Sequence, residues 1–355
     1  MPPGSRVPHT RTKGIPPLTL TPREAVQTVL QHRDVRPVPY CIKFTVESWE
    51  HMQQALGKRV DPVEATGSYV VAAHTNHGWA EVRPGFFRDW FGVVWNRTVD
   101  RTLGVVTSPL LTSPSLAGFR FPDPESVPID REIQHNLARH PDHFQMASIG
   151  FALFERAWAL TGMEDLMVYF LTEPDFVHDL LERIAEFNIG IIRRAAACGV
   201  DAIHFGDDWA SQNGLMISPD LWRTFILPPF ARMCAAARQA GLFVSLHSCG
   251  KVESLFPDLI TAGVHVFDPF QPEVMDIWQL RDRYRGALSF WGGLSLQRTL
   301  PFGTPDDVER ETRSLLTGMA PGGGYIAAPS HAMTGDVPVP NILRLIDVLR
   351  SQPTT

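Results

Sequence analysis

Apolar residues along this chain recur in short, continuous runs separated by longer amphipathic stretches. Eight such runs stand out: Val38–Phe44, Tyr69–His74, Phe144–Gly150, Ala202–Asp208, Phe243–Cys249, Val264–Phe270, Ala287–Gly293 and Tyr325–Pro329. They are mostly continuous rather than alternating, as expected of strands buried on both faces of a parallel sheet. Between them lie helical patterns. Pro174–Cys198 places Phe176, Val177, Leu180, Leu181, Ile184, Phe187 and Ile191 near the 3.6-residue period, with Gly199 after it. Ser218-Pro219-Asp220 and Thr304-Pro305-Asp306 each put a hydroxyl at the cap and proline at the first helical position. The first predicts a helix to Gln239 and the second a helix over Asp307–Thr317.

Strand–helix alternation of this kind predicts an α/β protein. About eight strands favour a (β/α)8 TIM barrel over an open sheet. An open doubly wound sheet would want a GxGxxG turn after an early strand, and none is present. The expected organisation is a loose leader over residues 1–20, followed by one barrel domain over 21–352. The stretch 75–140, rich in Trp, Arg and Pro, breaks the alternation and reads as a cap-like insertion over the barrel mouth.

The 355 residues are 44% hydrophobic and 20% charged, enough for a large core and against disorder. A net charge of −6 argues against nucleic acid as a partner, because no basic excess is available for phosphates. No apolar run reaches the ~20 residues of a membrane span, and Met1–Leu30 has no secretory h-region. The four cysteines, Cys41, Cys198, Cys234 and Cys249, form no CxxC pair. Together these predict a cytoplasmic protein with free thiols.

In a barrel, chemistry collects where strands end. Reading those ends gives Asp207-Asp208, His247-Ser248-Cys249-Gly250, Asp268 to Glu273, Trp291 and His331. His247 and Cys249 are spaced i, i+2, so in a strand both point to one side and can reach one ion. Zinc accepts imidazole nitrogen and thiolate sulfur together. Glu273 and His331 are candidates to complete the ligand set. Asp207 and Asp208 could act as an acid and base pair, or cap a helix. Gln212, Asn213, Gln271 and Trp291 are candidate substrate contacts.

Taken together, Gly206-Asp207-Asp208-Trp209, Ile217 to Trp222, His247-Ser248-Cys249-Gly250, Phe270-Gln271-Pro272-Glu273, Trp291-Gly292-Gly293 and Gly322-Gly323-Gly324-Tyr325 resemble the uroporphyrinogen decarboxylase superfamily over roughly residues 20–350. The resemblance implies a (β/α)8 barrel that often dimerises. True decarboxylases of that superfamily are cofactor-free and use an early Arg-Gln-Ala-Gly-Arg-Tyr segment to bind substrate carboxylates. The stretch here is Pro39-Tyr40-Cys41-Ile42-Lys43-Phe44, without those arginines. The corrinoid-linked methyltransferases of the superfamily instead carry His-x-Cys and a distant Cys as zinc ligands, and cobalamin-independent methionine synthases add an intervening Glu. His247, Cys249 and Glu273 follow that order, while His331 stands near the place of the late Cys.

The resemblance therefore implies a zinc-dependent methyltransferase acting between a small substrate (a methoxy compound, an alcohol or a thiol) and a corrinoid. No Asp-x-His-x-x-Gly corrinoid motif occurs, so the corrinoid is expected on a separate partner protein. The alternative is a metal-free lyase acting on a carboxylate substrate through Asp207 or Asp208 and His331.

Overall fold

The computed structural model describes residues 20–353; most of the expected leader lies outside them. Seven strands form one parallel sheet: β1 Val70–His74, β2 Phe144–Gly150, β3 Ala202–Gly206, β4 Phe243–His247, β5 Val266–Phe270, β6 Ser289–Leu294 and β7 Tyr325–Pro329. They are hydrogen-bonded in chain order from β1 to β7. All seven coincide with expected runs. The eighth run, 38–44, is not a regular strand. It makes two single bridges, Tyr40 to Ala327 of β7 and Phe44 to Met333 in the segment after β7, and on its other side the Tyr69 amide donates to the Tyr40 carbonyl. Two prolines, Pro37 and Pro39, remove donors at its start, which accounts for the broken ladder. The sheet is thus curled, with an irregular segment between its two edges.

The main helices follow the capping signals. Helix α1 spans Phe154–Thr161, α2 Pro174–Ala197, α3 Leu227–Gln239, α4 Pro305–Gly318 and α5 Val339–Arg350. Thr304 and Asp307 form a capping box at α4, as the Thr-Pro-Asp signal implies. The helix opened by Ser218 runs to Gln239, but through a π-helical turn at Trp222–Ile226. Pro228 and Pro229 follow that turn; missing amide donors there favour the wider winding.

The stretch 75–140 separates into two parts. Ala80–Arg83, Phe86–Arg88, Val94–Asn96 and Val105–Val106 make a four-stranded sheet of their own, antiparallel throughout. Ile129–Arg139 is instead the helix between β1 and β2, so the inserted part is shorter than the composition suggested. The inserted sheet is tied to the core by Asp89. Its carboxylate accepts from the Phe91 and Val93 amides at 3.0 and 2.9 Å and from Trp95 Nε1 at 2.9 Å. It also pairs with Arg156 of α1.

Candidate metal centre and active site

His247 ends β4 and Cys249 follows two residues later, so the extended backbone turns both side chains toward the sheet's open end. His247 Nε2 and Cys249 Sγ lie 3.4 Å apart. The ring of His331, just past β7, stands 5.3 Å from the His247 ring. One ligand atom from each of His247, Cys249 and His331 falls within 4.8 Å of the others. Two zinc bonds of about 2.0 and 2.3 Å at the tetrahedral angle would separate nitrogen and sulfur by about 3.5 Å, close to the spacing found. The donor set fits zinc.

The other ring nitrogen of His247 faces Asp268 of β5, Nδ1 to Oδ2 at 3.1 Å. Asp268 also receives Lys43 Nζ at 2.8 Å, and His204 Nε2 lies 3.7 Å away. A carboxylate on Nδ1 fixes the tautomer and aims Nε2 at a metal. Burial would raise the Asp268 carboxyl, but Lys43 and His247 outweigh it and hold its pKa far below the usual range. Burial opposes charge on His247, yet Cys249 and Asp268 keep its pKa well above the ordinary histidine value. Burial pushes the Cys249 thiol up, with His247 pulling the other way. The His331 imidazole is lowered to about 4 by burial, with His247 adding to the effect. It is therefore neutral and able to act as a ligand near pH 7.

Above this group opens a cavity of about 530 Å³. Glu155, Asp208, His247, His331, Phe151 and Leu103 are among its walls. Asp208 Oδ1 accepts the Cys249 amide at 2.8 Å and so braces the ligand loop. Burial, then Asp208 and Asp207, raise the Glu155 pKa well above the usual carboxylate range. A chamber of about 60 Å³ lies beside the group, lined by Cys41, Lys43, Asp268, Trp291 and His331 among others. There Lys43 sits 4.1 Å above the Trp291 ring, and the buried Trp291 Nε1 has no hydrogen-bond partner.

Several expected site residues are placed elsewhere. Glu273 does not join the ligand group; its Oε1 accepts from Ser295 Oγ at 2.5 Å and from the Gln297 amide at 3.3 Å. Asp207 is fully buried and accepts the Leu153, Phe154 and Glu155 amides and Trp209 Nε1. It serves the orphan donors at the start of α1, which leaves it no free face toward the cavity. Gln271 accepts the Gly250 amide at 2.8 Å. Gln212 and Asn213 are exposed on a hairpin, Gln212 bonded to Gln297. Trp291 does border the smaller chamber. Lys43, Glu155 and the role of Asp268 were not foreseen. Lys43 and Asp268 did carry a signal, since each is the single charge within an otherwise apolar run.

Glu273→Gln should leave bound zinc unchanged when metal is counted in purified protein; a loss of zinc would restore Glu273 to the ligand set. Asp268→Asn should weaken zinc binding by about 10–100-fold in chelator competition, because the tautomer and aim of His247 are no longer held. An unchanged affinity would deny Asp268 that role.

Comparison with known proteins agrees with this architecture. The model of the uroporphyrinogen decarboxylase (URO-D) family matches residues 100–352, and the chain belongs to that family. A methylated-thiol–coenzyme M methyltransferase of Methanosarcina mazei is 27% identical over 165 residues, 46% of this chain and 43% of the relative. A uroporphyrinogen decarboxylase of Syntrophotalea carbinolica is 24% identical over 262 residues, 70% of this chain and 72% of the relative. The match to the methyltransferase therefore spans less than half of that protein's length. A solved structure of a methyltransferase from Methanosarcina mazei superposes with a TM-score of 0.74 at 17% identity, covering 93% of this chain and 98% of that one. At that identity the likeness shows a shared fold. Among the described residues no helix is long and apolar enough to cross a membrane.

Proposed function

We propose that this protein is a zinc-dependent methyltransferase, moving a methyl group between a small substrate and a corrinoid carried by a separate protein. The observation that carries this reading is the convergence of His247, Cys249 and His331 beneath the larger cavity. The resemblance to the methylated-thiol methyltransferase supports it. The single barrel domain with an inserted cap is part of the same reading, since Asp100, Thr102 and Leu103 of the inserted segment border the cavity.

Zinc held by these three residues would supply Lewis acidity to the heteroatom that gives or receives the methyl group. The chain's own residues do the rest. Asp268 fixes His247, Asp208 holds the Cys249 loop, and Phe151 and Leu103 give the cavity apolar wall. In the transfer the carbon–heteroatom bond breaks with its electron pair left on oxygen or sulfur, and the acceptor supplies the pair for the new bond to carbon. One thiolate and two neutral imidazoles leave a zinc site one unit more positive than two thiolates and one imidazole. That harder site favours a methoxy compound or alcohol over a simple thiol. The rival reading, a metal-free lyase for a polycarboxylate, fits the cavity poorly, because no Lys or Arg is among its lining residues. Four cysteines, none in a disulfide, suit the reducing cytoplasm.

The test is transfer from methylated donors to free reduced cobalamin, followed by the change in the cobalt absorption spectrum. Zinc-loaded protein should methylate cobalamin faster with methoxy donors than with methylthio donors. Carbon dioxide release from a porphyrinogen, with no methyl transfer, would instead support the lyase.

A further inference from the structure

The larger cavity is electrically lopsided. Four acidic side chains, Glu47, Asp100, Asp208 and the Glu155 whose burial favours its neutral form, are among its lining residues, and no Lys or Arg is. Asp100 is exposed and Glu47 half-buried, so both lie toward the mouth. Asp100 spends one oxygen on the Thr102 and Leu103 amides, and neither carboxylate has an ion-pair partner among the described residues. Arg97 and Arg101 lie near Asp100 and Glu47 but line no part of the cavity; among the groups around it, the positive ones are at the opposite end. His247 stands at the floor, and behind it Lys43 is paired with the buried Asp268. A molecule in this space meets a negative rim and a floor that carries the metal ligands.

From this we infer that the small substrate is bipolar: it carries an ammonium group held by Glu47 and Asp100, and its methylated oxygen or sulfur lies at the floor. The inference rests on the methyltransferase reading for the role of the floor, but the charge preference stands on the cavity alone. The site is defined by the cavity and the His-Cys-His group, and the acidic rim sets only which molecules it accepts. Opposite charges in contact in a partly screened pocket attract where a neutral analogue gains nothing, so one rim carboxylate is enough to separate cations from neutral analogues. The same rim repels anions, whose entry would add unpaired negative charge beside Asp208. Charge developing on the departing oxygen or sulfur falls at the floor, near His247 and Lys43, and away from the rim.

The experiment uses three molecules of similar size: 2-(methylthio)ethylammonium, 2-(methylthio)ethanol and 3-(methylthio)propionate. Their binding to zinc-loaded full-length protein is measured by calorimetry at low ionic strength. The cation should bind at least about tenfold more tightly than the alcohol, and the propionate most weakly of all. Glu47→Gln with Asp100→Asn should remove the preference for the cation over the alcohol while leaving zinc content unchanged. Equal binding of the three, binding of none, or a preference untouched by the double substitution would overturn the inference. Failure of methyl transfer with the charge preference intact would count against the methyltransferase reading and not against this one.

Discussion

Replacing Cys249 with alanine should lower zinc in the purified protein from about one ion per chain to nearly none, with the fold retained. Among the described residues three ligands converge here, and Cys249 supplies the single sulfur. Its loss leaves two neutral imidazoles, and two-ligand binding at micromolar zinc is weak; the affinity should fall by about a thousandfold or more. The side chain is half-buried and its amide is held by Asp208, so removing the thiol leaves the loop's main-chain support in place. His331→Ala should act in the same direction. Metal analysis with circular dichroism checks both, and zinc retained by Cys249→Ala would remove the residue from the site.

Replacing Asp89 with alanine is expected to destabilise the protein by several kcal/mol, about 3–5 from the buried pair alone. Asp89 and Arg156 have side chains 0% and 5% exposed. Breaking such a pair from one side leaves an uncompensated buried cation, at a cost of about 3–5 kcal/mol. Three more donors, the Phe91 and Val93 amides and Trp95 Nε1, would also lose their acceptor. Because Asp89 belongs to the inserted segment and Arg156 to α1, the damage should centre on that segment's attachment. Urea unfolding should show a midpoint well below wild type, and hydrogen exchange should quicken first over residues 79–106. Asp89→Ala with Arg156→Met should recover part of the loss. An unfolding free energy within about 0.5 kcal/mol of wild type, roughly the scatter of neutral surface changes, would contradict the buried-pair account.

Periodicity and capping made most of the fold legible. The seven parallel strands sit where continuous apolar runs occur, since residues buried on both faces leave no room for alternation. Proline explains the main departure. Pro37 and Pro39 kept the 38–44 run from forming a ladder although its composition is strand-like. The gathering of His247, Cys249 and His331 was legible because strand ends converge at one end of the sheet, and the i, i+2 spacing says that His247 and Cys249 share a side. Asp207 and Glu273 were misplaced for a common reason: strand-end carboxylates also serve helix starts and loops, and sequence does not say which neighbour arrives first. Three amides and an indole claim Asp207, while Ser295 and the Gln297 amide claim Glu273. Glu155 was invisible because it sits in a helical stretch, where one acidic residue near the start ordinarily favours the dipole. Only the hydrogen bonding of the start of α1 to Asp207, just past β3, brings it to the cavity.

The most direct test of the account is X-ray absorption at the zinc edge of the purified, zinc-loaded protein. The account predicts one sulfur at about 2.3 Å and nitrogen or oxygen neighbours at about 2.0 Å, with an imidazole pattern. The sulfur contribution should vanish in any zinc retained by Cys249→Ala. A zinc shell of oxygen alone, or a protein that takes up no zinc, would contradict it.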